Sequence, residues 1–137
     1  MSLEIKIYYE DTDCGGVVYY ANYLKYFERA RTHFLEDYGF SVSKFLQEGI
    51  RLLVVRAELD YRSPARYGEV LTIKTLVEDL RPASMTFRHV IEEREHRRLV
   101  VEGSAKLVTV DHGGKVLRLP PSLVSCMRSL TEETAHG

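Results

Sequence analysis

Apolar and polar positions alternate early in this 137-residue chain. Ile5, Ile7 and Tyr9 fall on one face of the alternation, and more polar residues stand between them. This is the period of a strand with one buried face. The pattern therefore predicts a first strand over residues 4–9.

A longer pattern, with the period of a helix, covers residues 19–38. Its apolar positions recur every three or four residues, at Tyr20, Tyr23, Leu24, Phe27, Ala30, Phe34, Leu35 and Tyr38. Such a spacing predicts one long helix that buries a wide apolar face, with Gly39 as its C-cap. Residues 41–48 indicate a short second helix that ends at Gly49.

Further runs have the composition of strands, and they cover residues 53–61, 69–79, 85–93 and 98–110. The connections between them are short, which predicts antiparallel pairing. Pro120 and Pro121 indicate the start of a last helix. A long helix against a large antiparallel sheet is an α+β architecture. We expect a single domain over residues 1–130 and a frayed tail over residues 131–137.

Composition and charge restrict the class of protein. Hydrophobic residues make up 45% and charged residues 28% of the chain, as in a globular protein. The formal net charge of -1 gives no overall field that would attract nucleic acid or an anionic bilayer. No apolar run approaches the roughly 18 residues of a membrane span. Cys14 and Cys126 lie far apart in the sequence, unlike a disulfide framework, so we expect a cytoplasmic protein.

The most informative stretch of sequence joins the first strand to the long helix. Residues 8–32 read YYEDTDCGGVVYYANYLKYFERART, with an Asp-x-x-Gly core at residues 13–16 and an Asn22-Tyr23 pair. A second segment, residues 63–68, reads SPARYG. In text and spacing the chain resembles the 4-hydroxybenzoyl-CoA thioesterase-like and YbgC-like bacterial acyl-CoA thioesterases.

This resemblance implies a hotdog fold, in which a curved antiparallel sheet wraps one long central helix. It implies a homo-oligomer, a dimer or a tetramer, with acyl-CoA as substrate; an acyl carrier protein is a further candidate partner. Asp13 is the implied catalytic carboxylate, and the backbone N–H of Tyr20 is the implied donor to the thioester carbonyl. The implied substrate-binding residues are Gly16, Val17, Tyr19, Tyr23 and Arg66. Neither a cofactor nor a metal is implied.

The implied roles agree with elementary chemistry. A thioester carbonyl under attack gathers negative charge on its oxygen, and the N-terminus of a helix offers unpaired N–H groups to that charge. A carboxylate beside the carbonyl can activate water as a general base or attack as a nucleophile, and the sequence leaves both open. Tyr20 stands where many members of the family carry His, so the resemblance predicts the reaction better than the acyl group.

The sequence gives less support to other functions of this loop. An EF-hand would need a ligand at its fifth position and Glu at its twelfth, where the chain has Gly15 and Asn22. A hotdog dehydratase usually supplies a His here, and the loop and first helical turns contain none. Cys14 has no evident His partner and is expected to be a small loop residue, while Glu10 and Asp11 are expected to be solvated carboxylates. A non-catalytic module that binds acyl-CoA or acyl carrier protein stays open.

Overall fold

The computed structural model describes residues 2–13 and 15–136, and for residues 132–136 it describes the backbone only. The strands are β1 (Ser2–Lys6), β2 (Arg51–Tyr61), β3 (Val70–Arg81), β4 (Ser84–Glu93), β5 (Arg98–Val110) and β6 (Val116–Leu117). The helices are α1 (Asn22–Asp37), α2 (Val42–Gln47) and α3 (Pro121–His136), and a 3-10 turn spans Tyr9–Asp11. The role expected for Cys14 falls outside the described residues.

One antiparallel sheet forms the frame of the fold. Its strand order is β1-β3-β4-β5-β2, and β6 pairs with the last residues of β5. Every long strand runs antiparallel to its neighbours. The predicted pairing and the predicted α+β class are therefore confirmed.

α1 lies against the inner face of this sheet. Its buried side chains recur at helical spacing, and they are Tyr23, Tyr26, Phe27, Ala30, Arg31, Phe34 and Leu35. α2 and α3 cover the rest of the same face, where Phe45, Leu123 and Met127 join the core around Phe87. Gly39 follows α1 with a φ of +87°, which is the conformation expected of a C-cap glycine.

At Gly103 of β5 the sheet has no room for a side chain. A Cβ atom there would lie 2.2 Å from the backbone oxygen of Glu58 in β2 and 3.1 Å from the ring of Phe27 in α1. Phe27 also stacks on His89 of β4, with ring centroids 4.5 Å apart. The missing side chain at residue 103 therefore lets Phe27 reach the sheet.

His89 is a fully buried polar residue on this face. Its Nδ1 lies 3.0 Å from the hydroxyl of Thr75 in β3, and its Nε2 has no hydrogen-bond partner within the described residues. Burial, and to a smaller extent the charge of Arg31, lower the pKa of His89 to about 3. The imidazole is therefore neutral at physiological pH.

After β1 the chain leaves the sheet earlier than predicted. Ile5 and Ile7 are buried as expected, but Tyr9 is 79% exposed, so the predicted strand over residues 4–9 is wrong at its end. The carboxylate of Asp11 accepts the N–H of Tyr8 at 2.9 Å. This bond closes the 3-10 turn that takes the place of the last strand residues.

Other element boundaries also differ from the predictions. α1 begins at Asn22 rather than near residue 19, and α3 continues through residues 131–136. β6 has no counterpart among the predicted strands, because two residues are too few to form a recognisable alternation. The domain limits and the fraying of the tail in solution stay predictions. Among the described residues, no helix combines the length and apolar character needed to cross a membrane.

β2 forms one edge of the sheet, and along its outer side the described chain supplies no partner strand. Leu53, Val55 and Tyr61 are each about half exposed, although their alternation predicts a buried face. The pairing register shifts between Val54 and Arg56, as at a β-bulge. The apolar edge of β2 therefore stays uncovered by the part of the chain that the structure describes.

Candidate active site

A small hairpin carries the Asp-x-x-Gly core. Asp13 donates its N–H to the carbonyl of Val17 at 2.9 Å, and Tyr19 donates its N–H to the carbonyl of Asp11 at 3.0 Å. Gly16 at the tip has a φ of +78°, which residues with a side chain rarely adopt. The hairpin therefore fixes the backbone on both sides of Asp13.

The carboxylate of Asp13 folds over its own turn. Its Oδ1 accepts the N–H of Gly15 at 2.8 Å, and the residue is exposed to solvent. Within the described residues, Oδ2 accepts no hydrogen bond. One oxygen therefore orients the carboxylate, and the other is available for chemistry.

The same turn occurs a second time, where Asp111 begins another Asp-x-Gly-Gly sequence. Asp111 Oδ1 accepts the N–H of Gly113 at 2.9 Å, and Gly114 has a φ of +85°. The same Oδ1 also accepts the N–H of Lys115, and these backbone hydrogen bonds lower the pKa of Asp111. The turn is therefore a general structural device, and its copy at Asp13 differs in leading to the start of a helix.

The residues after the hairpin lead into α1. Asn22 donates its N–H to the carbonyl of Tyr19 at 2.9 Å, and its side-chain amide donates to the carbonyl of Asp11 at 2.9 Å. The N–H groups of Tyr20 and Ala21 meet no acceptor in the described part of the chain. Tyr20 thus lies two residues before the helix rather than in its first turn, yet its N–H remains a free donor for an anionic oxygen.

A second segment, residues 63–69 between β2 and β3, lies against the hairpin. Val18 donates its N–H to the carbonyl of Ala65 at 2.8 Å, and Val17 and Arg66 form an antiparallel bridge. The fold thus brings together the backbones of Val17 and Arg66, two of the substrate-binding residues that the family resemblance implies. The Arg66 side chain is exposed and forms no ion pair with any described residue, so it is available to a phosphate.

Tyrosine side chains border the turn before α1. The ring centroids of Tyr19 and Tyr20 lie 4.8 Å apart. The ring centroid of Tyr61 in β2 lies 6.3 Å from that of Tyr20 and 5.8 Å from that of Tyr23. Tyr20 is 61% exposed and Tyr23 is 3% exposed, and burial raises the pKa of Tyr23. Tyr23 therefore belongs to the core, and its contact with substrate stays a prediction. Sequence reasoning missed Tyr61, because it lies on a distant strand with no motif of its own.

A family model of the thioesterase-like superfamily matches residues 8–126. The chain belongs to this superfamily. Its relatives include the acyl-CoA thioester hydrolase YbgC of Escherichia coli O6:H1 (strain CFT073), which is 37% identical over 122 residues, 88% of this chain and 90% of the relative. The acyl-CoA thioesterase YbgC of Haemophilus influenzae is 36% identical over 115 residues, 82% of each chain.

Solved structures of the superfamily superpose on the chain. A DHNA-CoA thioesterase from Staphylococcus aureus does so with a TM-score of 0.88 at 27% identity, over 98% of this chain and 90% of that one. A probable thioesterase from Bartonella henselae has a TM-score of 0.82 at 33% identity, over 88% of this chain and 98% of that one. The predicted hotdog fold and the predicted thioesterase family are therefore confirmed.

Asp11 does more in this superfamily member than the solvated role that the sequence suggested for it. Its carboxylate closes the turn at Tyr8, and its carbonyl accepts hydrogen bonds from Tyr19 and Asn22. Tyr26 of α1 is buried, and its burial together with the nearby Asp11 carboxylate raises the pKa of the Tyr26 phenol. No spacing rule marks Asp11, because its partners come from the strand end, the hairpin and the helix.

A group of side chains that could hold a metal ion lies at the end of β4. The potential ligand atoms of Glu93, Glu95 and His96 are within 4.8 Å of one another. The Glu93 carboxylate accepts the N–H of Glu95 at 2.7 Å and that of His96 at 2.9 Å. The hydrogen bond from the His96 backbone leads the interactions that lower the pKa of Glu93. These bonds close the turn between β4 and β5, and we assign no metal to the group.

Proposed function

We propose that the chain hydrolyses the thioester of an acyl-CoA to a free acid and CoA, with Asp13 as the catalytic carboxylate. The observation that carries this proposal concerns Asp13, Tyr20 and Ala21: among the described residues, one carboxylate oxygen of Asp13 accepts no hydrogen bond, and the N–H groups of Tyr20 and Ala21, close by in sequence, meet no acceptor. The hydrogen bonds of Asp11 to Tyr19 and Asn22 hold both features on one structural unit.

In the proposed reaction the N–H of Tyr20 donates to the thioester oxygen, where negative charge develops as the carbon becomes tetrahedral. Asp13 either takes a proton from the attacking water or attacks the carbon itself and forms an anhydride that water opens. CoA leaves as a thiolate and takes up a proton in both cases. Incorporation of ¹⁸O from water into the Asp13 carboxylate during a single turnover would identify the nucleophilic route.

Substrate binding is proposed for the residues around this carboxylate. Gly16, Val17 and Tyr19 offer backbone and side chain beside it, and Arg66 is proposed to meet a phosphate of CoA. The relatives support CoA esters as the substrate class, since one is named an acyl-CoA thioester hydrolase and another a DHNA-CoA thioesterase. Their names differ in the acyl group, so the acyl group of this chain has to be measured.

The test is release of free thiol from a panel of short-chain, long-chain and aromatic acyl-CoA esters. We expect Asp13→Asn to keep the fold and to lose at least about a hundredfold in turnover, the scale of a lost general base. Asp111→Asn is the matched control, because it changes the same atom in the same type of turn, and we expect it to keep full turnover. Equal turnover in wild type and Asp13→Asn, or none in any protein across the panel, would refute the proposal.

We also propose that the active protein is a homo-oligomer that pairs along β2. Asp13, Tyr20 and Arg66 are all exposed in the single chain, whereas a carboxylate and an N–H donor act more strongly on a thioester where most of the bulk water has been displaced. The uncovered edge of β2, with Leu53 half exposed, offers the surface for a second copy to cover. An acyl carrier protein as partner and a cytoplasmic location stay predictions.

Leu53→Glu tests this pairing, because it places a charge on the proposed interface. We expect light scattering to show monomers of the variant and an oligomer of the wild type, with turnover lost in parallel. Val116→Glu is the control, since Val116 of β6 is 54% exposed but lies outside β2. A wild type that is monomeric and fully active would contradict the proposal.

A further inference from the structure

Arg98, the first residue of β5, holds the segment of residues 63–69 in place. Its Nη2 lies 3.0 and 3.1 Å from the two carboxylate oxygens of Glu69 and 2.9 Å from the carbonyl oxygen of Pro64. Its Nε donates to the hydroxyl of Ser63 at 3.2 Å. One planar guanidinium therefore contacts the beginning and the end of this segment at once.

Glu69 extends the same anchor on the other side. Its Oε1 accepts the N–H of Arg66 at 2.7 Å, and its own carbonyl accepts the N–H of Ile7 at 2.9 Å. Ser63 donates its hydroxyl to the carbonyl of Leu99 at 2.6 Å. The segment is thus fastened to β5 and to the chain just after β1, and its fixed point is the Arg98–Glu69 pair.

The anchored segment carries the hairpin of Asp13. The carbonyl of the fully buried Ala65 accepts the N–H of Val18, and Val17, which bridges to Arg66, accepts the N–H of Asp13. These contacts between the segment and the hairpin are made by main-chain groups. A shift of the segment would therefore move the Asp13 carboxylate relative to the start of α1.

From these contacts we propose that Arg98 is a positioning residue for thioester hydrolysis. Together with Glu69 it fixes the distance between the Asp13 carboxylate and the N–H donor of Tyr20, although it touches neither. This inference rests on the proposed function of Asp13. Misplacement of a reacting group by about 1 Å can cost up to about a hundredfold in rate. Loss of Arg98 should therefore lower kcat more than it changes KM.

The test compares kcat and KM of the wild type with those of Arg98→Met and Arg98→Lys, after folding has been checked by circular dichroism. We expect Arg98→Met to lower kcat by about tenfold to a hundredfold and to change KM by less than about threefold. Arg98→Lys keeps the charge beside Glu69 but loses the fork that reaches Ser63 and Pro64, so it should recover kcat only in part.

Arg81→Met is the matched control, because Arg81 also pairs with a carboxylate, Asp79, at 3.0 Å but on another part of the sheet. It should leave kcat unchanged. If Arg98→Met does not fold, Glu69→Gln tests the same anchor, since it keeps the size of the side chain and removes the charge that Arg98 binds. Glu69→Gln is expected to lower kcat in the same way.

The double variant Asp13→Asn with Arg98→Met separates this inference from the proposed function. If Arg98 acts through Asp13, the double variant should turn over no more slowly than Asp13→Asn alone. Multiplied losses, a change confined to KM, or a normal kcat per folded molecule would overturn the positioning role. An inactive Asp13→Asn beside a fully active Arg98→Met would overturn this inference alone, whereas a fully active Asp13→Asn would refute the proposed function itself.

Discussion

Replacement of Gly103 by Ala adds one methyl group at the point where α1 meets the sheet. The new Cβ would lie 2.2 Å from the carbonyl oxygen of Glu58, more than an ångström inside an ordinary contact. It would also press on Phe27 at 3.1 Å. A ring can turn aside, but a backbone oxygen cannot, so β2 and β5 have to separate around the Leu59–Gly103 pair.

The cost of this separation can be worked out from its parts. Overpacking of a core by a methylene typically costs about 1–3 kcal/mol, and a rigid backbone contact belongs at the upper end of that range. Alanine returns about 0.5–1 kcal/mol, because glycine loses more backbone entropy on folding. We therefore expect a net loss of about 2–2.5 kcal/mol in the free energy of unfolding, which lowers the melting temperature by roughly 10 °C in a domain of this size.

Urea and thermal unfolding of Gly103→Ala would measure this loss. Gly113→Ala is the control, since its added Cβ would lie 3.4 Å from Asp111 Oδ1, an ordinary contact, and we expect a change within about 0.5 kcal/mol. A Gly103→Ala protein that unfolds within about 1 kcal/mol of the wild type would refute the claim that the backbone of β2 blocks this position.

Two more predictions concern the buried imidazole and the active-site turn. The pKa of His89 is about 3 in the fold and about 6.5 in the unfolded chain, so stability is complete above pH 6.5 and falls as the pH drops toward 3. Between pH 6.5 and 5 the loss should be on the order of 2 kcal/mol in urea unfolding, and His89→Phe should remove it; an equal loss in the variant would contradict the assignment. Gly16→Ala and Gly114→Ala place a side chain at φ values of +78° and +85°, and each should cost about 1 kcal/mol of stability. Only Gly16→Ala should also lose thioesterase turnover, and equal activity in the two variants would separate the Asp13 turn from catalysis.

The long elements of the fold were predictable because burial imposes a period on them. The apolar spacing from Tyr23 to Leu35 follows the inner face of α1, and the runs of β3, β4 and β5 alternate as the sheet requires. The end of β1 was not predictable from period alone. Tyr9 continues the alternation of Ile5 and Ile7, but the carboxylate of Asp11 accepts the N–H of Tyr8 and turns the chain away first.

The candidate site divides in the same way. Asp13, Gly16 and Tyr20 lie in one short sequence segment, so the local sequence was enough to predict them as site residues. Arg98 and Glu69 are ordinary charged residues in sequence, and their pairing depends on how β5 meets the segment after β2. Side chains that act across strands leave no local period or motif, and these are the parts of the site that required the structure.

The hairpin around Asp13 and the segment of residues 63–69 meet through main-chain N–H and carbonyl groups. Main-chain groups are common to almost all residue types, so the side chains of Val17 and Arg66 can be exchanged without moving the carboxylate of Asp13. Under the proposed function, recognition of the acyl group and of CoA can therefore change while the proposed reaction at Asp13 is retained. The proposed chemistry and the proposed substrate selectivity thus depend on different parts of the site, the first on main-chain contacts and the second on exposed side chains.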